Sequence, residues 1–116
     1  MKKTLLLLVI AMVPLTAKAG FVGPSEQAVM SVSEVKKLGD DKPVMMKGSI
    51  EKHLSKDKYQ FVDETGRIVV EIDGKEWRGQ NANPSDTVII VGETDKDWFR
   101  DPVVNVDSIE VVKNIK

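Results

Sequence analysis

The sequence predicts an all-β domain with short helices: a small five-stranded Greek-key barrel. Three observations lead there. Five segments read as strands, four with period-two alternation and one almost wholly apolar, at spacings set by turn residues. A glycine, Gly48, sits in the middle of the longest of them, where a strand bends or bulges. The rest of the chain offers only two short helical patterns, too little for a helical layer.

The chain has 116 residues, with 17 basic and 18 acidic residues, one His and no Cys. That length allows one domain, and the lack of Cys excludes a disulfide framework and any thiolate nucleophile or ligand. The first 19 residues read as an export leader. Met1-Lys2-Lys3-Thr4 is cationic, Leu5 to Val13 is an unbroken apolar run, Pro14 breaks it, and Ala17-Lys18-Ala19 has the spacing a signal peptidase reads. The apolar run is too short to span a bilayer, which takes about 20 residues. Cleavage after Ala19 would leave Gly20 to Lys116 in the periplasm. Of the 17 basic residues, Lys2, Lys3 and Lys18 lie in the leader, so 14 would face 18 acidic ones. A net negative charge argues against binding nucleic acid, which needs cations against phosphates, and leans toward cationic partners.

Residues 20 to 30, beginning Gly20-Phe21-Val22-Gly23-Pro24, form an aperiodic lead-in, and the domain proper is expected over 31–116. Ser31-Val32-Ser33-Glu34 has capping-box spacing, and Val32, Val35 and Leu38 then follow a helical rhythm that Gly39 ends, predicting a helix from Val32 to Leu38. The first strand runs from Val44 to Leu54, with Val44, Met46, Gly48, Ile50 and Leu54 on one face. A second runs from Lys58 to Val62 with Tyr59 and Phe61 together. Asp63-Glu64-Thr65-Gly66 is a hairpin turn, and Arg67 to Asp73 is the third strand, with Ile68, Val70 and Ile72 inward. Lys75-Glu76-Trp77-Arg78-Gly79 suits one helical turn closed by Gly79. The fourth strand, Thr87 to Glu93, is apolar throughout Val88 to Val91 and so predicted buried on both faces. In the fifth, Val103 to Val112, the apolar parity changes between Val106 and Ile109, predicting a bulge near Asp107. Five strands, a bent first strand and a helical insertion between the third and fourth describe an OB-fold.

The chain then resembles the bacterial OB-fold (BOF) family, small exported stress-tolerance proteins of Gram-negative bacteria. The match is carried by the leader followed by Gly20 to Pro24, by Val44-Met45-Met46-Lys47-Gly48-Ser49-Ile50 and by Tyr59-Gln60-Phe61-Val62-Asp63. It continues in Asp73-Gly74-Lys75-Glu76-Trp77-Arg78-Gly79 and in Val91-Gly92-Glu93 through Asp95-Lys96-Asp97-Trp98. The resemblance implies a periplasmic OB-fold without enzymatic activity, linked to envelope stress, with no agreed ligand contacts to carry over.

The residues support the same expectation of no catalytic residue and no cofactor. His53 is the single imidazole; Ser49 and Ser55 lie near it without the pattern of an activated nucleophile. Asp95, Asp97 and Asp101 share one loop and could be a solvated acidic loop or a cation site, but lack EF-hand spacing. OB-folds bind on the face of strands two and three, framed by the loops joining strands one to two and four to five. Those loops are Ser55-Lys56-Asp57 and Thr94 to Asp101. The candidate binding residues are therefore Trp98, Phe99, Asp95, Asp97, Lys56, Tyr59 and Arg67. Trp77 is expected in the core, at the foot of the barrel; Phe99 has the alternative of capping a barrel end, and Trp98 suits core and surface equally. The outward face, with Lys47, Glu51, Arg67, Val69 and Glu71, mixes signs and lacks the aromatic stack of a single-strand nucleic-acid platform. The reading is a non-catalytic binding protein for an envelope component: a cell-wall glycan, an outer-membrane protein or a cationic peptide. Pairing of an exposed strand edge with a partner is the alternative, and a His53- or carboxylate-metal-dependent hydrolase is a weaker one. The processed chain is expected to be a monomer or weak oligomer without membrane insertion.

Overall fold

The computed structural model describes residues 28–113. The leader and residues 20 to 27 of the lead-in lie outside the described residues. The element order is α1 (Val32–Val35), β1 (Pro43–Ser55), β2 (Lys58–Asp63), β3 (Gly66–Glu71), α2 (Gly74–Trp77), β4 (Thr87–Asp95) and β5 (Val103–Val112). The strands close into a barrel in the order β1-β2-β3-β5-β4, with β4 returning to β1. All ladders are antiparallel except β3 with β5. This is the five-stranded Greek-key OB-fold expected from the sequence.

β1 belongs to both halves of the barrel. Its first half pairs with β4 as far as Gly48↔Val88, and its second half pairs with β2 from Ser49↔Val62. Gly48 is the point of transfer. A Cβ there would collide with the Val62 carbonyl oxygen and the Phe61 ring, so the residue is small because two strands and a ring converge on it. The irregularities themselves lie later, between Ile50 and Lys52 and between His53 and Ser55. They correct the sequence reading of Leu54: the extra residues break the alternation, and Leu54 turns outward, 42% exposed.

The predicted bulge in β5 is present. Val91 pairs with Ser108 and Gly92 with Val106, leaving Asp107 as the additional residue. β4 is less buried than its composition suggests. Val88 and Ile90 point into the core, while Ile89 and Val91 are half-buried on the outer surface. A closed barrel has one inside, so even an apolar run alternates.

The core is aliphatic around one fully buried ring, Phe61, with Met46, Val70, Ile72, Ile90 and Ile109 against it. α1 adds Val32 and Val35 to that core. Its capping box is complete, with the Ser31 hydroxyl accepting from Glu34 N–H and the Glu34 carboxylate accepting from Ser31 N–H. The helix is shorter than the spacing predicts. Past Val35 it tightens into single turns, Lys37 N–H to Glu34 O and Leu38 N–H to Val35 O. α2 ends at Arg78 and Gly79, both with left-handed backbone (φ 49° and 74°), so the stop expected at Gly79 begins one residue earlier. Trp77, expected in the core, packs against it and stays half-buried, with part of its ring open to solvent.

Candidate functional site

The parallel ladder between β3 and β5 spans only Val70↔Val104 and Glu71↔Asn105. Upstream of it the two chains diverge. Pro102, which has no N–H to donate, precedes the ladder on the β5 side. The divergence opens a groove of about 320 Å³ on the outer surface. Its apolar floor is Leu54, Ile68, Val69, Pro102 and Val103; Lys36, Lys58, Arg67, Arg100 and Asp101 rim it. Leu54 and Lys58 flank the β1–β2 turn, and Arg100 to Pro102 belong to the β4–β5 loop. The groove therefore occupies the face that OB-folds use for ligands.

Each cation has a carboxylate partner. Arg67 grips Glu51 with two bonds, Nε to Oε1 at 2.9 Å and Nη2 to Oε2 at 3.3 Å. Gln60 also donates to Glu51 Oε1. The Arg67 guanidinium, helped by the Gln60 amide, holds the Glu51 carboxyl below its ordinary range. Lys58 meets Glu71 at 2.6 Å, Arg100 meets Asp97 at 2.6 Å, and Lys36 lies 3.7 Å from Asp101. The Arg100 guanidinium, with the Phe99 N–H, likewise lowers Asp97. Of these carboxylates only Asp101 lines the groove. The groove wall itself is thus four cations to one anion, in a chain whose net charge is −1.

The predicted binding residues divide. Arg67 stands on the groove. Asp97 and Trp98 line a separate hollow of about 280 Å³ with Gly39, Asp40 and Lys96, which shares no residue with the groove. Phe99 projects into solvent, 94% exposed, and does not cap the barrel. Asp95 is the exposed last residue of β4, and Lys56 is the exposed tip of the β1–β2 turn, with left-handed backbone (φ 47°). Tyr59 leaves this face altogether. It stacks on His53 (ring centroids 4.6 Å apart) and meets the Trp77 ring edge-on at 5.5 Å. These three rings line a different, open pocket of about 380 Å³, together with Gln80, Asn81 and Pro84. Lys36, Lys58 and Arg100 are not among the residues that sequence reasoning selects. The outward parity of Lys58 beside Arg67 is a usable signal; nothing local marks Lys36, which α1 docking delivers.

His53 Nε2 lies 2.6 Å from the Lys56 carbonyl, and among the described residues no serine hydroxyl bonds its ring. The carboxylates of Asp95, Asp97 and Asp101 do not converge. Asp97 and Asp101 have separate cationic partners, and among the described residues no group of three or more potential ligands could hold a metal ion.

Comparison with known proteins fits this architecture. The family model described as bacterial OB fold (BOF) protein matches residues 11–111. Protein YgiW of Escherichia coli K12 is 47% identical over 93 residues, covering 70% of this chain and 72% of its own. The calcium-regulated OB-fold protein CarO of Pseudomonas aeruginosa is 33% identical over 99 residues, 84% of each chain. A solved structure of YgiW from E. coli superposes with a TM-score of 0.71 at 44% identity, covering 80% of this chain and 98% of that one.

Proposed function

The chain belongs to the bacterial OB-fold (BOF) family, and on that premise we propose that it is a non-catalytic binding protein of the periplasm. It holds a cell-wall glycan in the groove between β3 and the β4–β5 loop, and through that contact helps the envelope withstand stress. The observation that carries this reading is the groove wall: an apolar floor rimmed by Lys36, Lys58, Arg67 and Arg100. A sugar ring offers an apolar face to such a floor. A carboxylate on the glycan would exchange with Glu51 or Asp97 for a planar guanidinium. The leader motif at residues 1–19 supports export.

The test is calorimetric titration with purified muropeptides and with a neutral oligosaccharide. Muropeptides are expected to bind more tightly, and Arg67→Ala to weaken them about tenfold, the value of one charge-assisted contact. Absence of binding to any glycan sinks the proposal.

A second reading rests on a separate cleft of about 280 Å³ lined by Glu71, Asp73, Glu76 and Asp107, with Lys75 and Asn105. It suits a cationic peptide. Binding of such a peptide that falls steeply with salt, while muropeptides fail, would favour it over the glycan.

A further inference from the structure

Trp98 and Phe99 are the most exposed large apolar side chains among the described residues, at 92% and 94%. Adjacent rings that both face water are costly, and on a soluble protein such a patch marks a surface that is covered in use. Their exposure does not come from a slack loop. Lys96 Nζ donates to the carbonyls of Asp97 (3.2 Å) and Arg100 (2.7 Å), Arg100 grips the Asp97 carboxylate, and Phe99 N–H donates to Asp97 Oδ1 at 3.2 Å. Lys96 N–H is tied to Asp40 Oδ1 at 2.8 Å, anchoring the loop to the chain entering β1. The backbone is braced and both rings stand in solvent, Trp98 at the rim of the shallow hollow it shares with Asp40 and Lys96.

An adjacent pair of rings, both exposed, suits a soft, deformable surface. Indole settles at the headgroup level of a bilayer, where its N–H stays hydrated, and a phenyl ring beside it reaches the acyl boundary. The charges around the tip permit that approach. Asp97 is neutralised by Arg100, Asp101 lies by Lys36, and Asp95 acts on the same Arg100 guanidinium. Arg100 also lines the groove rim, and by exchanging Asp97 for a headgroup phosphate it sets a cation beside the rings. We propose that the Trp98–Phe99 tip is a reversible anchor to a phospholipid surface, carried by the two rings and adjoining the glycan groove at Arg100. It is attachment at headgroup depth. Among the described residues no helix is long and apolar enough to cross a membrane.

The leader would itself bind lipid, so the experiment uses the chain from Gly20 onward. It retains the whole barrel, because among the described residues the buried core cluster runs from Val32 to Ile109. Trp77→Phe leaves Trp98 as the sole indole, since the sequence has two Trp. Vesicles of phosphatidylethanolamine and phosphatidylglycerol, with and without brominated acyl chains, are added while indole emission is followed. The expected result is a blue shift and quenching by the brominated lipid. In the otherwise unaltered chain, Trp98→Ala or Phe99→Ala should each raise the lipid concentration for half-maximal binding about tenfold. An emission that stays unshifted and unquenched at saturating lipid overturns the proposal. So does vesicle binding that survives loss of both rings. A shift produced by muropeptides and not by vesicles would also overturn it, giving the ring to the glycan. Arg67→Ala, scored separately on muropeptides, tests the groove without touching the tip.

Discussion

The side chain of Gln80 stands in for a strand beside Val111. Its Oε1 accepts from Val111 N–H at 3.0 Å, and its Nε2 donates to the Ile109 carbonyl at 2.8 Å. β3 has already left β5 at this point, since their ladder ends at Glu71↔Asn105, so one amide closes an edge that would otherwise be open. The same Nε2 lies 2.9 Å from the Trp77 carbonyl and ties α2 to that edge. Gln80→Ala should destabilise the barrel by about 1–3 kcal/mol, the cost of leaving a part-buried donor and acceptor unmet. Urea unfolding measures the loss. Light scattering should show slow association through the uncovered edge.

Gly92 sets a second constraint. It faces the β5 bulge, and a Cβ there would run into the Asn105 carbonyl and the Val106 backbone. Its neighbours are main chain and cannot swing aside, unlike the tip of a long side chain. Gly92→Ala is expected to cost on the order of 3 kcal/mol, readable as a drop in thermal midpoint. A change under about 0.5 kcal/mol, the usual range for an exposed surface site, would refute the close-packed bulge.

What the sequence reveals here follows the range of the forces involved. Strand alternation, the Ser31–Glu34 capping box, the turn at Asp63–Gly66 and the parity change around Asp107 are local, and each is legible from neighbouring residues alone. Leu54 is not, because the shift between Ile50 and Lys52 flips the alternation and Leu54 is itself the unpaired residue between His53 and Ser55, neither of which leaves a compositional trace. The run Val88 to Val91 reads as wholly buried because apolar content does not tell inside from outside. The groove is half legible. Arg67 and the β4–β5 loop can be placed by strand count, whereas Lys36, Lys58, Arg100 and Leu54 come from separate segments that only barrel closure unites. For Trp98 and Phe99 the residue types allow core or surface, and only the bracing by Lys96 and Arg100 decides it.

Asp63 makes α1 docking sensitive to acid. Its Oδ2 accepts from Val32 N–H at 2.9 Å, and its Oδ1 accepts from the Thr65 N–H and hydroxyl, both at 2.7 Å. Partial burial acts to raise this carboxyl, but the hydroxyl of Thr65 and the N–H groups of Val32, Thr65 and Gly66 outweigh it and hold it below the ordinary 3.8. A lowered folded value stabilises the fold above the unfolded value, and that stability is lost as pH falls through the folded one. Docking of α1 should therefore hold above about pH 4 and weaken below it. Asp63→Ala should remove the dependence and cost about 1–2 kcal/mol at neutral pH, as loss of a helix-terminal acceptor does. Amide exchange at Val32, followed from about pH 6 down to about pH 3, a range that brackets the ordinary Asp value, checks both.

Glu93 and Asp107 give the opposite sign. The β5 bulge leaves Asp107 as an extra residue beside the Glu93 strand pair, and the hydrogen bond that protonated Glu93 donates to the Asp107 carboxylate, reinforced by the Asp107 charge, by burial and by Asp41, pushes Glu93 above the ordinary 4.5. Two carboxyls in contact share a proton when one is available and repel when both ionise. A raised folded value contributes stability below the unfolded value and loses it as pH rises through the folded one. The contact is therefore favourable in acid and unfavourable at neutral pH. Asp107→Asn keeps the bulge and gives Glu93 a donor while removing the second charge. It should raise the thermal midpoint at about pH 7, leave it nearly unchanged at about pH 4, and so flatten the stability profile between them. Asp107 is exposed and Glu93 only half-buried, so salt should shrink the difference. A midpoint that falls at neutral pH would show that Asp107 stabilises the bulge by some contact other than its bond to Glu93.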